Sequence, residues 1–319
     1  MQILVTGGAG FIGSHLCKKL LENGDTVYCV DNLISGSKHN IEALMQNPRF
    51  IFINHDVIQS LNIDVEIDQM YHLASPASPN HHSKISYHAL ALETMLVNTT
   101  GTLELLNLAK KHDAQFLFAS TSEIYGDPEV HPQPETYQGS VHTTGPRSVY
   151  DEAKRFGETI ISYFWREHNV NARIVRIFNT YGPNMLVEDK RMIVNFILQA
   201  LADKPLTVYG DGSQSRSLCY VSDTVEGLMR LMNYPDTSQE IVNIGAQEEH
   251  TVLEYAHMIK KLTNSKSEIV MSEQLPEDDP KQRQPDIAKA KKLLNWEPTV
   301  TLEHGLQKTI EYFQDRTKN

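Results

Sequence analysis

The chain has 319 residues, 40% hydrophobic and 22% charged, with a formal net charge of −11. That length accommodates a large core divided into two lobes, and the acidic balance argues against a general nucleic-acid surface while leaving room for local Arg/Lys pockets. Cys17, Cys29 and Cys219 form no C-x-x-C pair, and neither a signal peptide nor an apolar run of bilayer length is found, so a cytoplasmic protein with no membrane partner is expected.

Ile3–Thr6 reads as a buried strand and Phe11–Asn23 as the helix that follows, ending before Gly24. Between them runs Gly7-Gly8-Ala9-Gly10-Phe11-Ile12-Gly13. In that setting the glycines permit a tight turn, close approach of backbone to a pyrophosphate and close helix–strand packing, while the helix N-terminus favours negative charge. Thr26–Val30 is the next strand, and Asp31 at its end follows Gly13 by 18 residues. A carboxylate there accepts ribose hydroxyls and repels a 2′-phosphate, so NAD is expected rather than NADP. Asn32, Ser35 and Gly36 in the next turn join Gly7, Gly10, Phe11, Ile12, Gly13 and Asp31 as cofactor candidates. Lys38 either offsets the Asp31 charge or is a solvated loop lysine.

Phe50–Ile53 and Met70–Leu73 continue the strand pattern. By position alone, Asp56 and Val57 after the first fall near the adenine, and Leu73, Ala74 and Ser75 at the second fall on the nicotinamide side. Helical patterning covers Leu90–His112, and the strand Phe116–Ala119 runs into Ser120-Thr121-Ser122-Glu123. A second helical pattern, Tyr150–His168, places Tyr150 and Lys154 one turn apart on one face. A Lys ammonium near a phenol favours phenolate, drawing its pKa of about 10 toward working pH. Such a tyrosine takes a proton from a sugar hydroxyl as hydride leaves the carbon, and returns it later. Alone, Y-x-x-x-K is an ordinary surface pair; the glycine loop turns the reading toward catalysis, with the Thr121 hydroxyl and Glu123 carboxylate at hand.

Ala172–Ile177 is a further strand, and the βαβ alternation implies a Rossmann-type doubly wound parallel sheet in residues 1–178. After Asn179, Gly182-Pro183, Pro205, Gly210-Asp211-Gly212 and Pro235 punctuate shorter elements, so residues 179–319 read as a smaller α/β substrate-binding lobe. Ile241–Ile244 still resembles a sheet strand, which suggests a return to the first lobe near residues 220–247. Pro276–Pro285 reads as an ordered polar loop. His81-His82 has no partnering cluster in the sequence, and no metal is expected.

These motifs resemble the extended short-chain dehydrogenase/reductase superfamily, and in particular its UDP-glucuronate decarboxylases, or UDP-xylose synthases. The matching segments are TGGAGFIGSHL at 6–16, HLASPASP at 72–79 and ASTSEIYGDPEVHPQPETY at 119–137. They continue with GPRSVYDEAKRFGET at 145–159, RIFNTYGPNM at 176–185, VYGDGSQSRSLCYVSD at 208–223 and DDPKQRQPDIAKAKKLLNWEP at 278–298. The glycine loop and the Tyr/Lys pair belong to the whole superfamily; the SPASP, TSE and DDP-x-x-R-x-PDI segments are narrower.

The resemblance implies NAD in the N-terminal lobe, a UDP-sugar in the cleft, and a homodimer formed through the helices near Leu90–His112 and Tyr150–His168. It implies oxidation of the sugar at C4, loss of CO2 from the resulting β-keto acid, protonation at C5 and return of hydride to C4. Carried over residue by residue, Tyr150, Lys154 and Thr121 serve the C4 redox step, Glu123 faces the sugar carboxylate, and Arg283 acts beside it. Asn179, Arg191, Tyr209, Gln214, Arg216 and Arg283 then surround the UDP-sugar. The chain departs from the family pattern at Gln138 in place of Trp, at Thr143-Thr144 in place of Asn-Pro, and in a longer Asn80–Leu92 segment lacking Tyr-x-x-Asn-Pro. A 4,6-dehydratase, a 4-epimerase, a decarboxylase releasing the 4-keto pentose and a non-catalytic NAD-binding scaffold are the alternatives. Ser122 stands where a dehydratase carries Asp, and the retained Tyr/Lys pair argues against a scaffold.

Overall fold

The computed structural model describes residues 1–235 and 239–317; the expected lobe limit at Asn319 lies outside the described residues. Strands β1 (Gln2–Thr6), β2 (Thr26–Val30), β3 (Phe50–Ile53), β4 (Gln69–His72), β5 (Gln115–Thr121) and β6 (Ala172–Ile177) alternate with helices. The helices are α1 (Phe11–Glu22), α2 (Ala91–Leu96), α3 (Thr102–His112) and α4 (Ser148–His168). Beyond them lie the short strands β7 (Thr180–Tyr181), β8 (Leu206–Val208), β9 (Ser215–Ser217) and β10 (Cys219–Tyr220), with α5 (Met192–Leu201) and α6 (Val221–Asn233). The chain ends with β11 (Ile241–Ile244), β12 (Glu249–Thr251), α7 (Val252–Leu262), β13 (Ile269–Met271), α8 (Ala288–Leu294) and α9 (Leu302–Thr317).

The main sheet has the order β11-β6-β5-β4-β1-β2-β3 and every pairing in it is parallel. Parallel strands need crossover helices, and these cover both faces, which is why β4 is buried along its whole length and β1 from Ile3 onward. One apolar cluster, with Leu16, Leu20, Val27 and Leu228, packs on one face. A second, with Leu105, Phe116, Ile161 and Trp165, packs on the other, and a third around Phe196, Tyr255 and Phe313 gathers elements that follow β6. The strand order reverses at β1, between β2 and β4, and such a switch point opens a crevice at the strands' C-terminal ends.

Helix α4 buries Tyr150, Ala153, Lys154, Gly157, Ile161, Phe164 and Trp165, a single stripe at helical spacing. At Gly157 a Cβ would lie 2.6 Å from Phe118, so only glycine lets α4 close on β5. The helix expected over Leu90–His112 is interrupted: Val97–Gly101 forms one wider π-type turn between α2 and α3. Its cause is polar. Asn98 donates to both Thr94 O (2.8 Å) and Ser75 Oγ (2.9 Å), and Gly101 packs against Val57, so the helix widens around a buried side chain that holds Ser75, a residue lining the cleft. Cys17, Cys29 and Cys219 are buried and free. Among the described residues no helix is long and apolar enough to cross a membrane.

Candidate active site

The crevice holds a cavity of about 570 Å³ running from the glycine loop to Tyr150. Gly7 has φ +71°, and a Cβ there would lie 2.7 Å from Ala74 N; at Gly13 a Cβ would overlap the Gly7 carbonyl. The loop therefore brings bare backbone to the cavity, as a pyrophosphate requires. The Asp31 carboxylate accepts from Ala9 N (3.0 Å) and Leu33 N (2.8 Å), and Gly36 passes so close that a Cβ would sit 2.9 Å from it. Burial raises the Asp31 pKa, against those two backbone donors. Asn32 donates to Asp56 (3.1 Å) and fixes the opposite wall. Gly10, Phe11, Ile12, Ser35, Val57, Leu73 and Ala74 also line the cavity. Backbone cradle and carboxylate together fit a dinucleotide. Lys38 lies 5.9 Å from the Phe52 ring centroid.

At the far end of that cavity, β5 delivers Ser120 and Thr121, and the next turn delivers Glu123. Tyr150 is buried and stacks on Tyr87 at 4.9 Å with the rings 6° from parallel. Burial, then the charge of Glu123, push the Tyr150 phenol above its ordinary value, against a hydrogen bond with Thr121. The Lys154 ammonium donates to Ala119 O (2.6 Å) and lies 5.8 Å from the Tyr150 ring centroid. Burial brings the Lys154 pKa down to about 7, against the charge of Glu158. Burial therefore works against the charged form of each partner, a cost that the spacing of the two residues does not register. The lysine and tyrosine are brought together as the spacing predicts, with different electrostatics. His72, behind them, shares a hydrogen bond with Thr6 (2.8 Å) and is held neutral by burial, its pKa lowered to about 3.

Glu123 is the hub. It accepts from Arg147 (2.8 Å) and from the Tyr87 hydroxyl (3.3 Å), and meets Arg283 at 3.5 Å. Burial alone would raise its pKa, but Arg147 and Arg283 outweigh that and hold the carboxylate below its usual range. Glu123 also borders a second pocket of about 220 Å³, lined by Asn179, Arg191, Tyr209, Gln214 and Arg216. Arg191 donates to Ala77 O (2.8 Å), and Asp279 bridges Arg216 (2.9 Å) and Arg147 (3.2 Å). The Gln214 Oε1 is buried there without a partner. Arg283 borders neither cavity; it reaches the site only through Glu123.

Sequence reasoning missed Tyr87, Arg147, Asp151 and Asp279. Arg147 and Asp151 lie three residues before and one after Tyr150 and stand inside the GPRSVYDEAKR segment, which is the signal that points to them. Tyr87 comes from the divergent Asn80–Leu92 stretch and has no such signal. The same stretch carries His81 and His82, for which the fold supplies a partner: Glu273 lies 3.6 Å and 3.1 Å from them.

A nucleotide-binding α/β enzyme fold with a paired Tyr/Lys is thereby defined. Residues 3–245 match the model of the NAD dependent epimerase/dehydratase family, and the chain belongs to that family. It is 53% identical over 314 residues to UDP-glucuronic acid decarboxylase 1 of Danio rerio, covering 98% of this chain and 72% of that one. It is 51% identical over 317 residues to UDP-glucuronic acid decarboxylase 5 of Arabidopsis thaliana, covering 99% and 90%. Among solved structures, the UDP-glucuronic acid 4-epimerase of Bacillus cereus, in complex with UDP-glucuronic acid and NAD, superposes with a TM-score of 0.87 at 32% identity, covering 99% of this chain and all of that one.

Proposed function

We propose that this protein converts UDP-glucuronate to UDP-xylose and CO2 with no net consumption of NAD. The observation that carries the reading is Glu123: an ionised carboxylate clamped by two guanidiniums, two residues past Thr121, where the dinucleotide cavity meets the Arg-lined pocket. Identity of 51–53% to UDP-glucuronic acid decarboxylases over 98–99% of this chain supports it.

In this reading Gly7, Gly10, Phe11, Ile12, Gly13, Asp31, Asn32, Ser35, Gly36, Asp56, Val57, Leu73 and Ala74 hold NAD, with Tyr150 and Lys154 at its reactive end. When bound, NAD supplies reversible hydride acceptance at the sugar C4. Tyr150 and Thr121 move the C4 hydroxyl proton. With a carbonyl at C4 the uronic acid is a β-keto acid, and CO2 leaves as the electron pair enters an enolate, whose protonation at C5 and the return of hydride to C4 complete UDP-xylose. Glu123, facing the sugar carboxylate, disfavours a second negative charge beside it and so favours departure as neutral CO2. Arg283 holds Glu123 in place. Asn179, Arg191, Tyr209, Gln214 and Arg216 surround the UDP, the cations opposing its diphosphate charge.

The lobes divide near residue 178, with the chain returning to the first over residues 220–247. Exposed Leu92, Met95 and Leu103 on α2 and α3, with Phe156 and Tyr163 on α4, support a homodimer through those helices. The three unpaired cysteines support a cytoplasmic setting.

The test is incubation with UDP-glucuronate labelled with 13C at the carboxyl. Labelled CO2 and UDP-xylose, with NAD unchanged at the end, are expected. Retention of the label in a C4 epimer would replace this reading with that of an epimerase, and accumulation of NADH with a 4-keto pentose would replace it with the product-releasing variant.

A further inference from the structure

Glu123 has a neighbour that the reaction scheme does not use. Asp151, one residue past Tyr150 on α4, is buried, and its carboxyl lies within hydrogen-bonding reach of that of Glu123. Two carboxylates both accept and neither donates, so this contact requires a proton on one of them. The surrounding donors decide which. Arg147, the Tyr87 hydroxyl and Arg283 all point at Glu123. Asp151 Oδ1, by contrast, is buried with no hydrogen-bond partner. Charge is stable where charged donors converge and costly where none do, so the ion belongs on Glu123 and the proton on Asp151.

We propose that Asp151 is a positioning residue that stays protonated and donates to Glu123, so that the carboxylate facing the substrate is held by an un-ionised neighbour. Asp151 borders neither cavity, and it acts through Glu123 alone. The proton's location stands on the geometry of the cluster; its importance for turnover rests on the decarboxylase reading.

The charged and titratable groups around Asp151 come from every element packed on it. They are Glu123 after β5, Tyr87 from the Asn80–Leu92 segment, Arg147 and Tyr150 on or beside α4, and Arg283 from the Pro276–Pro285 loop. Burial and the Glu123 charge raise the Asp151 pKa, and Arg147 and Arg283 oppose this without overcoming it. Once pH exceeds that raised value, Asp151 turns from donor to repelling charge and Glu123 loses its anchor.

Asp151→Asn keeps a donor of the same shape but cannot ionise, whereas Asp151→Ala removes the donor. At neutral pH, CO2 release from UDP-glucuronate is expected to fall less than about tenfold in the Asn variant. In the Ala variant it should fall about ten- to hundredfold further, the scale of a hydrogen bond to a charged group. The alkaline decline of wild-type kcat should move to higher pH in Asp151→Asn, a shift that a merely structural role would not produce. Independently of turnover, the infrared difference between wild-type holoenzyme and Asp151→Asn at neutral pH should show the carbonyl stretch of a protonated carboxylic acid. Absence of that band, or an Asn variant as impaired as Ala with an unmoved alkaline limb, overturns the proposal. If the band is present but the wild type releases no CO2, the decarboxylase reading fails and the proton assignment stands.

Discussion

The two ends of the cleft are built from different materials. At the glycine end, recognition is by backbone: one continuous segment from β1 to α1 offers N–H groups and empty space, and a single carboxylate, Asp31, stands at the next strand's end. At the other end it is by side-chain charge, with Glu123, Arg147, Arg283, Tyr87 and Asp151 drawn from four separate stretches of chain. A backbone site fails when atoms are added. A buried charge network fails when one member is taken away, because the partners left behind lose compensation they cannot recover from water.

The sharpest break is expected where the two ends meet. Tyr150→Phe keeps the stack on Tyr87 but removes the hydroxyl, so turnover should fall by roughly two to four orders of magnitude while NAD still binds. Single-turnover formation of the 4-keto sugar and NAD titration measure the two separately. Near-normal turnover would show that the proton leaves C4 by another route.

Within the charge network, Arg147→Ala strips donors from both Glu123 and Asp279. A loss of about 3–5 kcal/mol in stability is expected, the scale for an orphaned buried charge. Its pH dependence has a definite sign. Arg147 and Arg283 hold the Glu123 pKa below its usual range, so their stabilisation is complete above the ordinary carboxylate pKa and is lost as pH falls through the depressed folded-state value. The melting-temperature gap between wild type and Arg147→Ala should therefore be widest near neutrality and narrow below about pH 4. A gap that does not change with acid would mean that Arg147 acts by packing.

The same contrast explains what was legible in the sequence. β2, β3, β6 and β11 match their expected limits residue for residue, because the strands of this parallel sheet are short, mostly apolar runs bounded by turns. The glycine loop and Asp31 were legible because their chemistry is contiguous or set by a fixed βαβ geometry. Tyr87 was not. It is an ordinary residue on its own segment and gains meaning only when folding sets it against Glu123, 36 residues away along the chain. The π-type turn at Val97–Gly101 escaped periodicity for a related reason, since its cause, the Asn98 bond to Ser75, is a tertiary contact. Spacing put Tyr150 and Lys154 on one helix face, where the structure has them, but spacing carries no information about desolvation, which sets the direction of both pKa shifts.

At the glycine end the break comes from addition. Gly7→Ala places a methyl against Ala74 N in a left-handed backbone conformation, strain of roughly 1–3 kcal/mol. NAD affinity should fall about ten- to hundredfold, while UDP, which the proposed reading assigns to the Arg-lined pocket, binds as before. Calorimetric titration with each ligand measures this. A parallel loss of UDP binding would show that the two ends are coupled and that the comparison is drawn too cleanly.

The smallest effect is expected at Asp31, the one place where the glycine end relies on charge. Both of its oxygens already accept backbone N–H groups, from Ala9 and Leu33. Asp31→Asn therefore cannot be neutral: whichever way the amide turns, its NH2 faces a backbone donor, and one hydrogen bond is lost at a cost of about 1–3 kcal/mol. NAD affinity should drop accordingly. The affinity for NADP should drop less, because the substitution also removes the charge that repels a 2′-phosphate, worth about 1 kcal/mol, or about sixfold, for unit charges roughly 4 Å apart in a water-like dielectric. The ratio of the two dissociation constants is thus the informative quantity, and it should move toward NADP by about that factor even as both ligands bind more weakly. An unchanged ratio would mean that the shape of the Ser35–Gly36 turn, which presses on the Asp31 carboxylate, selects the cofactor rather than the charge.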